Sequence, residues 1–201
     1  MTQGTQGNGE TTPTLWDRTR QLAVQEILRT ALRLFTQQGY DETTIAQIAR
    51  EAGVSQRTLF RYFGTKEDLV GGSQERFVAL MTEAVHKQPA DASAWTVLRA
   101  AFEAVLSLHT TPEEALERFR LLHHTDSLRA AYLGKRARSQ EALMPLLEAR
   151  LAPVGTDRGQ ARAIVATAFA CFDAATVTWL EGNGQGTILA LYDQGLSGVR
   201  S

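Results

Sequence analysis

The sequence predicts an all-α protein in two parts: a three-helix N-terminal domain of the helix-turn-helix kind and a larger helical C-terminal body. Three observations predict this class. Apolar residues recur every three to four positions along most of the chain, as they do on one face of a helix. Residues that start and stop helices separate these stretches. No stretch alternates apolar and polar residues in the manner of a half-buried strand.

The first helix is predicted from Asp17 to Gln38, and Gly39 ends it. Its apolar stripe consists of Val24, Ile27, Leu28, Ala31, Leu32 and Phe35. The preceding residues, 1–13, have neither the basic start nor the apolar run of a signal peptide. They are therefore predicted to form a disordered tail.

The stretch from Thr44 to Lys66 is predicted to form two short helices joined by a tight turn. Thr44 caps the first helix, with Gln47 three residues on to complete a capping box. The apolar stripe of this helix is Ile45, Ile48, Ala49 and Ala52. Gly53 ends it, because a residue without a Cβ adopts the left-handed conformation of a sharp turn. Ser55 then caps the second helix.

On the second helix Leu59 and Phe63 lie one turn apart and are expected to face inward. The residues left outside are Gln56, Arg57, Thr58, Arg61 and Tyr62. No acid occurs between Val54 and Lys66. This arrangement suits a helix whose first turns meet base edges while its flanks hold phosphates.

The run VSQRTLFRYFGTKEDL from Val54 to Leu69 resembles the DNA-binding segment of the tetracycline-repressor (TetR) family of bacterial regulators. The preceding residues from Gly39 to Gly53 match the pattern of that family too. The resemblance implies a transcription regulator, most often a repressor, that binds double-stranded DNA. Thr44, Tyr62 and Lys66 match family positions that usually hold phosphates.

Direct readout of bases is predicted for the first turns of the second helix. Arg57 suits guanine and Gln56 suits adenine, because each side chain pairs with its base through two hydrogen bonds. Thr58 suits a thymine methyl group. Ser55 and Arg61 complete the predicted DNA-binding set, although an ordinary solvated helix face remains the alternative, above all for Arg61.

Charge by itself predicts little about nucleic acid. The formal net charge is −1, and Thr14 to Val70 holds eight basic against seven acidic residues. Any DNA affinity must therefore come from local clustering of basic residues.

The one cysteine, Cys171, fits a reducing cytoplasm. A membrane span is not expected, because Asp173 and three threonines interrupt the longest low-charge stretch.

The domains are predicted as residues 14–64 for DNA binding and 65–201 for effector binding and dimerisation. A fourth helix, capped by Thr65, is expected to run to about Gln88, with Gly71 and Gly72 near its start. These glycines are either a tolerated first turn or a hinge. The further helices are predicted from Ser93 or Asp91 to Leu108, from Thr111, from Asp126 toward Leu151 with a kink or break at Pro145, from Gln160 to Leu180, and from Thr187 to about Leu196.

The body is expected to bind a small apolar effector. The candidate residues are Phe102, Leu106, Phe119, His123, Phe169 and Asp173. Asp173 is the single acid in an apolar helix, so it must meet a hydroxyl, an arginine, a partner chain or a ligand. The segment around residues 118–143 loosely resembles regulators that sense fatty acyl thioesters, in which case Lys135, Arg136 and Arg138 hold a phosphate-bearing end. An aromatic compound is the competing effector, and acids and amines are further alternatives. A salt-bridged helix surface is the alternative role of the three cations.

The helix from Gln160 to Leu180 is apolar nearly all round, so every side of it should be covered. A second copy of the chain is expected to cover part of it, as the family resemblance also implies. The candidate dimer-interface residues are Phe172, Trp179, Ile188, Leu191 and Tyr192. Two recognition helices related by a two-fold axis predict a pseudo-palindromic operator.

Enzymatic chemistry, a cofactor and a metal site are not expected. The sequence has no G-x-S-x-G, no glycine-rich phosphate loop and no Cys/His pair at ligand spacing. His123 and His124 are adjacent, so their side chains diverge on a helix and do not bind one metal together.

The function predicted is a cytoplasmic, dimeric, ligand-responsive transcription regulator. The rival hypotheses are a constitutive DNA-binding module without an effector and a helical ligand carrier.

Overall fold

The computed structural model describes residues 14–109 and 111–200, and within these ranges the chain forms helices and no strand. The helices are, in chain order, α1 Leu15–Gln38, α2 Ile45–Glu51, α3 Gln56–Phe63, α4 Asp68–Gly71, α5 Gln74–His86, α6 Ala94–Leu106, α7 Pro112–His124, α8 Asp126–Leu151, α9 Arg158–Glu181 and α10 Ile188–Arg200. A short 3-10 turn, Ala152–Val154, follows α8. The predicted all-α class is confirmed. The tail predicted for residues 1–13 lies outside the described residues.

The N-terminal part is a three-helix unit built on α1. The predicted apolar stripe of α1 buries Ile27, Ala31 and Phe35 in one core with Ile48 of α2 and Leu59 of α3. Because all five side chains are shielded from water, this small core fixes how α3 sits on the other two helices.

Side chains cap both helices of the helix-turn-helix unit. The Thr44 hydroxyl accepts a hydrogen bond from the backbone N–H of Gln47 at 3.2 Å, and the Ser55 hydroxyl accepts one from the backbone N–H of Thr58 at 3.1 Å. The Gln47 side chain does not complete the predicted capping box. It exchanges hydrogen bonds with the Gln38 side chain instead, which ties the start of α2 to the end of α1.

The link between the two parts differs from the prediction. The single helix expected from Thr65 to Gln88 is two helices, because Gly72 has φ +70° and ends α4. The hydroxyl of Ser73 then caps α5 by accepting a hydrogen bond from the backbone N–H of Arg76 at 3.3 Å. A left-handed residue followed by a new cap interrupts the hydrogen-bond ladder, which apolar periodicity does not reveal.

The body consists of α5 to α10, and three of its boundaries refine the sequence predictions. α8 runs unbroken through Pro145. α9 begins at Arg158, since the carboxylate of Asp157 and the side chain of Gln160 form a reciprocal capping box. α10 continues to Arg200 rather than ending near Leu196.

Aromatic side chains form the centre of the body. The ring of Phe102 on α6 lies 5.0 Å from Phe169, 4.5 Å from Phe172 and 5.3 Å from Tyr192, measured between centroids. Tyr192 is fully buried. α9 and α10 are therefore packed onto α6 by their apolar faces within one chain.

The two parts meet along α4, α7 and α8. Leu128 of α8 is buried in the N-terminal core together with Val70 of α4. α1 and α4 also contact α7. A movement of α4 would therefore change packing contacts in both parts of the protein.

One helix among the described residues, α9, is long and apolar enough to cross a membrane on length and composition alone. In this fold 44% of its apolar window is buried, and Phe169, Phe172 and Trp179 point into the body core. Core helices share this composition with membrane spans.

Candidate nucleic-acid interface and ligand cavity

Helix α3 separates an anchoring face from a polar face. Leu59 is fully buried and Phe63 is 7% exposed, while the side chains of Gln56, Arg57 and Arg61 are exposed. The side chains of Gln56 and Arg57 make no hydrogen bond to another described residue. The face therefore offers hydrogen-bond donors to an external partner.

Phe60 belongs to the same exposed face and was missed by sequence reasoning. Its side chain is 45% exposed, whereas most large apolar residues of the unit are buried. The signal was available, because Phe60 falls outside the stripe of Leu59 and Phe63 on a short helix. An exposed aromatic ring beside Arg57 suits apolar contact with a sugar or a thymine methyl group.

The flanking residues of this face are more constrained. Thr58 is half-buried, and its hydroxyl lies 2.9 Å from the hydroxyl of the exposed cap Ser55. Tyr62 is half-buried beneath the Arg61 guanidinium, which lies 5.2 Å from its ring centroid. Thr44 is exposed at the start of α2.

Lys66 is directed back onto the protein. Its ammonium group donates a hydrogen bond to the backbone oxygen of Tyr40 at 2.5 Å and lies 4.1 Å from the Tyr40 ring centroid. Burial lowers the pKa of Lys66, opposed by the nearby carboxylates of Asp41, Glu67 and Glu42. Lys66 thus fixes the end of the helix-turn-helix unit against the turn after α1.

An apolar cavity of about 90 Å³ lies between α4, α5, α6, α7, α8 and α9. Three of the predicted effector residues, Phe102, Phe119 and Phe169, line it. Leu106 and His123 are half-buried outside its lining. The structure therefore brings together the aromatic half of the predicted set.

Asp173 also lies outside the lining, because it is paired within the chain. Its carboxylate accepts a hydrogen bond from the hydroxyl of Tyr132 at 2.7 Å and forms an ion pair with Arg136 at 2.5 Å. Burial raises the pKa of Tyr132, and the adjacent Asp173 charge adds to this shift. The partner that an acid in an apolar helix requires is thus supplied by α8.

Two of the unpredicted polar residues of the cavity have a buried nitrogen without a hydrogen-bond partner among the described residues. Arg118 of α7 is 7% exposed and pairs with Glu114 at 3.0 Å, and its Nε is one of these atoms. The ring of His109 lies 5.3 Å from that of Phe119, and its Nδ1 is the other. Burial, helped by the Arg118 charge, lowers the pKa of His109 from 6.5 to about 4, so the imidazole is neutral.

Lys135, expected to hold a phosphate, connects the cavity to the N-terminal part. Its ammonium group donates hydrogen bonds to the Asp68 carboxylate at 2.7 Å and to the backbone oxygen of Gly72. Arg136 pairs with Asp173, and Arg138 is exposed. Lys135 and Arg136 therefore line the cavity as members of ion pairs, and Arg138 lies outside its lining.

A wide groove of about 870 Å³ separates α1 from α7 outside the cavity. Arginines of α1, Arg29 and Arg33, lie on one side, and Glu113 and Glu117 of α7 lie on the other. Leu108 and Arg118 are shared, since both line the cavity as well as the groove.

The predicted dimer-interface residues are largely buried within their own chain. Phe172, Trp179, Ile188 and Tyr192 are between 0% and 6% exposed in their own chain, and Leu191 is half-buried. Phe172 and Tyr192 pack on Phe102 of α6, and Trp179 contacts Phe119 of α7. The exposed residues of α9 and α10 include the small residues Ala166, Ala170, Ala174 and Gly195 and the larger Val177 and Val199.

No metal centre is evident in the part of the chain that the structure describes, where no three His, Cys, Asp or Glu side chains cluster. Cys171 is buried, and burial raises the pKa of its thiol. A thiol with a raised pKa is a poor nucleophile at neutral pH.

Residues 27–71 match the model of a family described as bacterial regulatory proteins, tetR family. The regulator TcmR of Streptomyces glaucescens is 32% identical over 149 residues, which are 69% of this chain and 64% of TcmR. The regulator AcrR of Shigella flexneri is 34% identical over 122 residues, 59% of this chain and 54% of AcrR. The aligned chain thus spans less than two thirds of these curated relatives.

Solved structures share the fold over most of the chain. The regulator FadR of Bacillus subtilis, in complex with stearoyl-CoA, has a TM-score of 0.59 at 22% identity and covers 86% of this chain and 95% of its own. NalD of Pseudomonas aeruginosa, a repressor of a multidrug efflux pump, has a TM-score of 0.56 at 22% identity and covers 90% and 94%. At these identities the likeness concerns the fold alone.

Proposed function

We propose that this chain, which belongs to the tetR family of bacterial regulatory proteins, is a cytoplasmic repressor of transcription that a small apolar effector releases from its operator. The observation that carries the proposal is the division of α3, where Leu59 and Phe63 anchor the helix and Gln56, Arg57 and Arg61 remain exposed. Residues 14–64 would read DNA, and residues 65–201 would bind the effector and a second copy.

The exposed face of α3 suits a major groove. Arg57 and Gln56 lie in its first turn, where a recognition helix meets base edges. Thr58 and Phe60 would contribute apolar contacts, while Ser55, Thr44 and Tyr62 are placed for phosphate oxygens. Lys66 would act mainly by holding the unit together, because its ammonium group is already bound to Tyr40.

A homodimer would form through the open face of α9 and α10. Exposed Ala170 and Ala174, together with Gly195, would let two helix pairs approach closely about a two-fold axis. Two α3 helices related by that axis would meet a pseudo-palindromic operator.

The cavity supports an apolar effector, and an acyl thioester and an aromatic compound remain the two candidate classes. FadR, which shares the fold, was solved with stearoyl-CoA. The cavity volume of about 90 Å³ is below the roughly 300–1,000 Å³ of most ligand sites. A ligand must therefore push its walls apart, and those walls include Gly71, Gly72 and Lys135 next to the N-terminal part.

Widening of the cavity would change the position of α4 and hence of α3. The effector shifts the population only if it binds the released state more tightly than the DNA-bound state. The Lys135–Asp68 contact is the element that such a ligand would strain, because it joins the cavity wall to α4.

DNA binding is tested by fluorescence anisotropy with labelled DNA from the region flanking the gene, at stated salt, against a scrambled duplex of equal length. Arg57→Ala should reduce the difference between the two duplexes by about 1–3 kcal/mol. Tyr62→Phe, which keeps the aromatic ring and removes its hydroxyl, should weaken binding to both duplexes equally. Lys87→Ala, an exposed change at the end of α5, serves as the control.

Equal affinity of the wild-type protein for both duplexes, or an Arg57→Ala variant that still discriminates, would contradict the proposal. Release is tested by titrating the protein–DNA complex with decanoyl-CoA and, separately, with 2-naphthol. A fall in anisotropy with one of them supports the effector part. DNA binding that decanoyl-CoA, 2-naphthol, decanoate and 2-naphthoate all leave unaltered would favour a constitutive DNA-binding protein.

A further inference from the structure

The inner cavity and the outer groove share two lining residues. Leu108, which follows α6, and Arg118, in the middle of α7, line both spaces, while His109 lines the cavity. The rest of the cavity lining is mainly apolar and includes Lys135 and Arg136 of α8. The wall formed by Leu108 and Arg118 is thus where the cavity adjoins the groove between α1 and α7.

The guanidinium of Arg118 binds an anion through only part of its hydrogen-bonding edge. The Arg118 side chain is 8% exposed, its Nη2 binds the Glu114 carboxylate at 3.0 Å, and its Nε has no partner in residues 14–109 and 111–200. A guanidinium presents two parallel N–H groups that match the two oxygens of one carboxylate. Glu114 therefore satisfies one arm of the fork and leaves the buried second arm open.

Glu114 is able to give way. Its side chain is 27% exposed at the rim of the groove, so it can rotate toward water, whereas Arg118 is fixed inside. Movement of Glu114 would uncover both arms of Arg118. An incoming carboxylate would then replace one buried charge pair with another and leave no charge uncompensated.

Arg118 is the lining cation that favours a negative ligand group, because Lys135 and Arg136 are already paired with Asp68 and Asp173. Among the described residues that line the cavity, Arg118, Lys135 and Arg136 are cationic and Glu67 is acidic. His109 adds an unpaired Nδ1 next to Arg118, on the Phe119 side. A ligand amine would be repelled by these cations. A neutral ester would not form the charge-assisted pair of hydrogen bonds with the Arg118 guanidinium.

We propose that the effector carries a carboxylate attached directly to its apolar body, that it enters past Leu108 from the groove between α1 and α7, and that Arg118 receives the carboxylate in exchange for Glu114. This inference rests on the proposed function, since it names the ligand class of the same cavity. It also places the charged end of the ligand beside α1 of the DNA-reading part, where Arg29 and Arg33 line the groove.

The test compares head groups on a constant apolar body by isothermal titration calorimetry with the full chain. The probes are decanoate, methyl decanoate and decylamine, with 2-naphthoate and methyl 2-naphthoate as a second scaffold. At least one acid should bind about tenfold or more tightly than its ester, because a charge-assisted hydrogen bond is lost in the ester. Decylamine should bind more weakly than decanoate.

Two variants make the comparison specific to Arg118. Arg118→Met should remove the preference for acid over ester, while Arg76→Met should keep it, because Arg76 is an exposed arginine of the same groove that does not line the cavity. The comparison of acid with ester on the wild-type protein stands by itself if Arg118→Met does not fold.

Four outcomes would overturn the inference: no binding by either acid, equal binding of acid and ester, retention of the preference in Arg118→Met, and binding of decanoyl-CoA without binding of decanoate. None of them bears on whether the protein binds its operator, which anisotropy measures separately. Failure here with intact DNA binding rejects the ligand class alone.

Discussion

The ammonium group of Lys135 on α8 lies 2.7 Å from the carboxylate of Asp68 on α4, and the two side chains are 13% and 14% exposed. The other carboxylate oxygen of Asp68 accepts a hydrogen bond from the backbone N–H of Thr65 at 3.3 Å. Thr65 follows α3 by two residues. This contact therefore joins the wall of the cavity to the end of the DNA-reading helix in two steps.

Replacing Lys135 with methionine should lower the free energy of unfolding by about 3 kcal/mol, because Asp68 would remain buried without its counter-charge. Urea unfolding followed by circular dichroism measures this. The double variant Lys135→Met with Asp68→Asn should lose less than the sum of the single changes. Lys87→Met removes the exposed pair with Glu83 and should cost less than about 0.5 kcal/mol. Additive losses would show that the two groups do not act on each other.

The two glycines of the link should respond differently to alanine. Gly72 has φ +70°, so Gly72→Ala should cost about 1–2 kcal/mol of stability although its Cβ would meet only Phe77 at 3.5 Å. Gly71 is helical and its Cβ would make ordinary contacts, so Gly71→Ala should be neutral or stabilise by up to about 1 kcal/mol. The urea midpoints of the two variants measure these changes in stability. Equal changes for Gly71→Ala and Gly72→Ala would argue against a break in the helix at Gly72.

Association of two copies should depend on Gly195. A Cβ at this position would meet nothing within 4 Å in one chain, yet glycine inside a helix costs about 1 kcal/mol relative to alanine. Gly195→Leu should therefore leave the helical content unchanged and weaken dimerisation by about tenfold or more, because it prevents close approach. Sedimentation equilibrium measures the dissociation constant, with Ala130→Leu on exposed α8 as control. An unchanged dimer would place the interface elsewhere.

His109 should make the fold sensitive to acid. Its pKa is about 4 in the fold against 6.5 for a free imidazole, so between these values the unfolded chain binds the additional proton. The associated stability is present above pH 6.5 and is lost as the pH falls toward 4, by roughly 3 kcal/mol in total. Comparing urea unfolding of the wild type and His109→Gln at pH 7 and pH 5 isolates this contribution. Parallel losses in the two proteins would assign the acid sensitivity to other groups.

The sequence by itself determined the polar face of α3 and most of the helices, although not the break between α4 and α5. Thr44, Ser55 and Gly53 act on their own neighbours in the chain, and the spacing of Leu59 and Phe63 fixes which side of α3 is buried, so local information was sufficient. The apolar stripe of α1 predicted its buried face for the same reason.

Only the tertiary structure decided what each apolar face is packed against and which polar groups meet. Periodicity showed that α9 and α10 needed covering, but not which helices cover them. Phe102 of α6 packs on Phe172 and Tyr192, and Phe119 of α7 contacts Trp179. The pairing of Lys135 with Asp68 spans 67 residues, and Arg118 gained its role from the helices packed around it. Such contacts depend on the relative position of distant segments, because burial, charge pairing and cavities arise only when separate helices pack together.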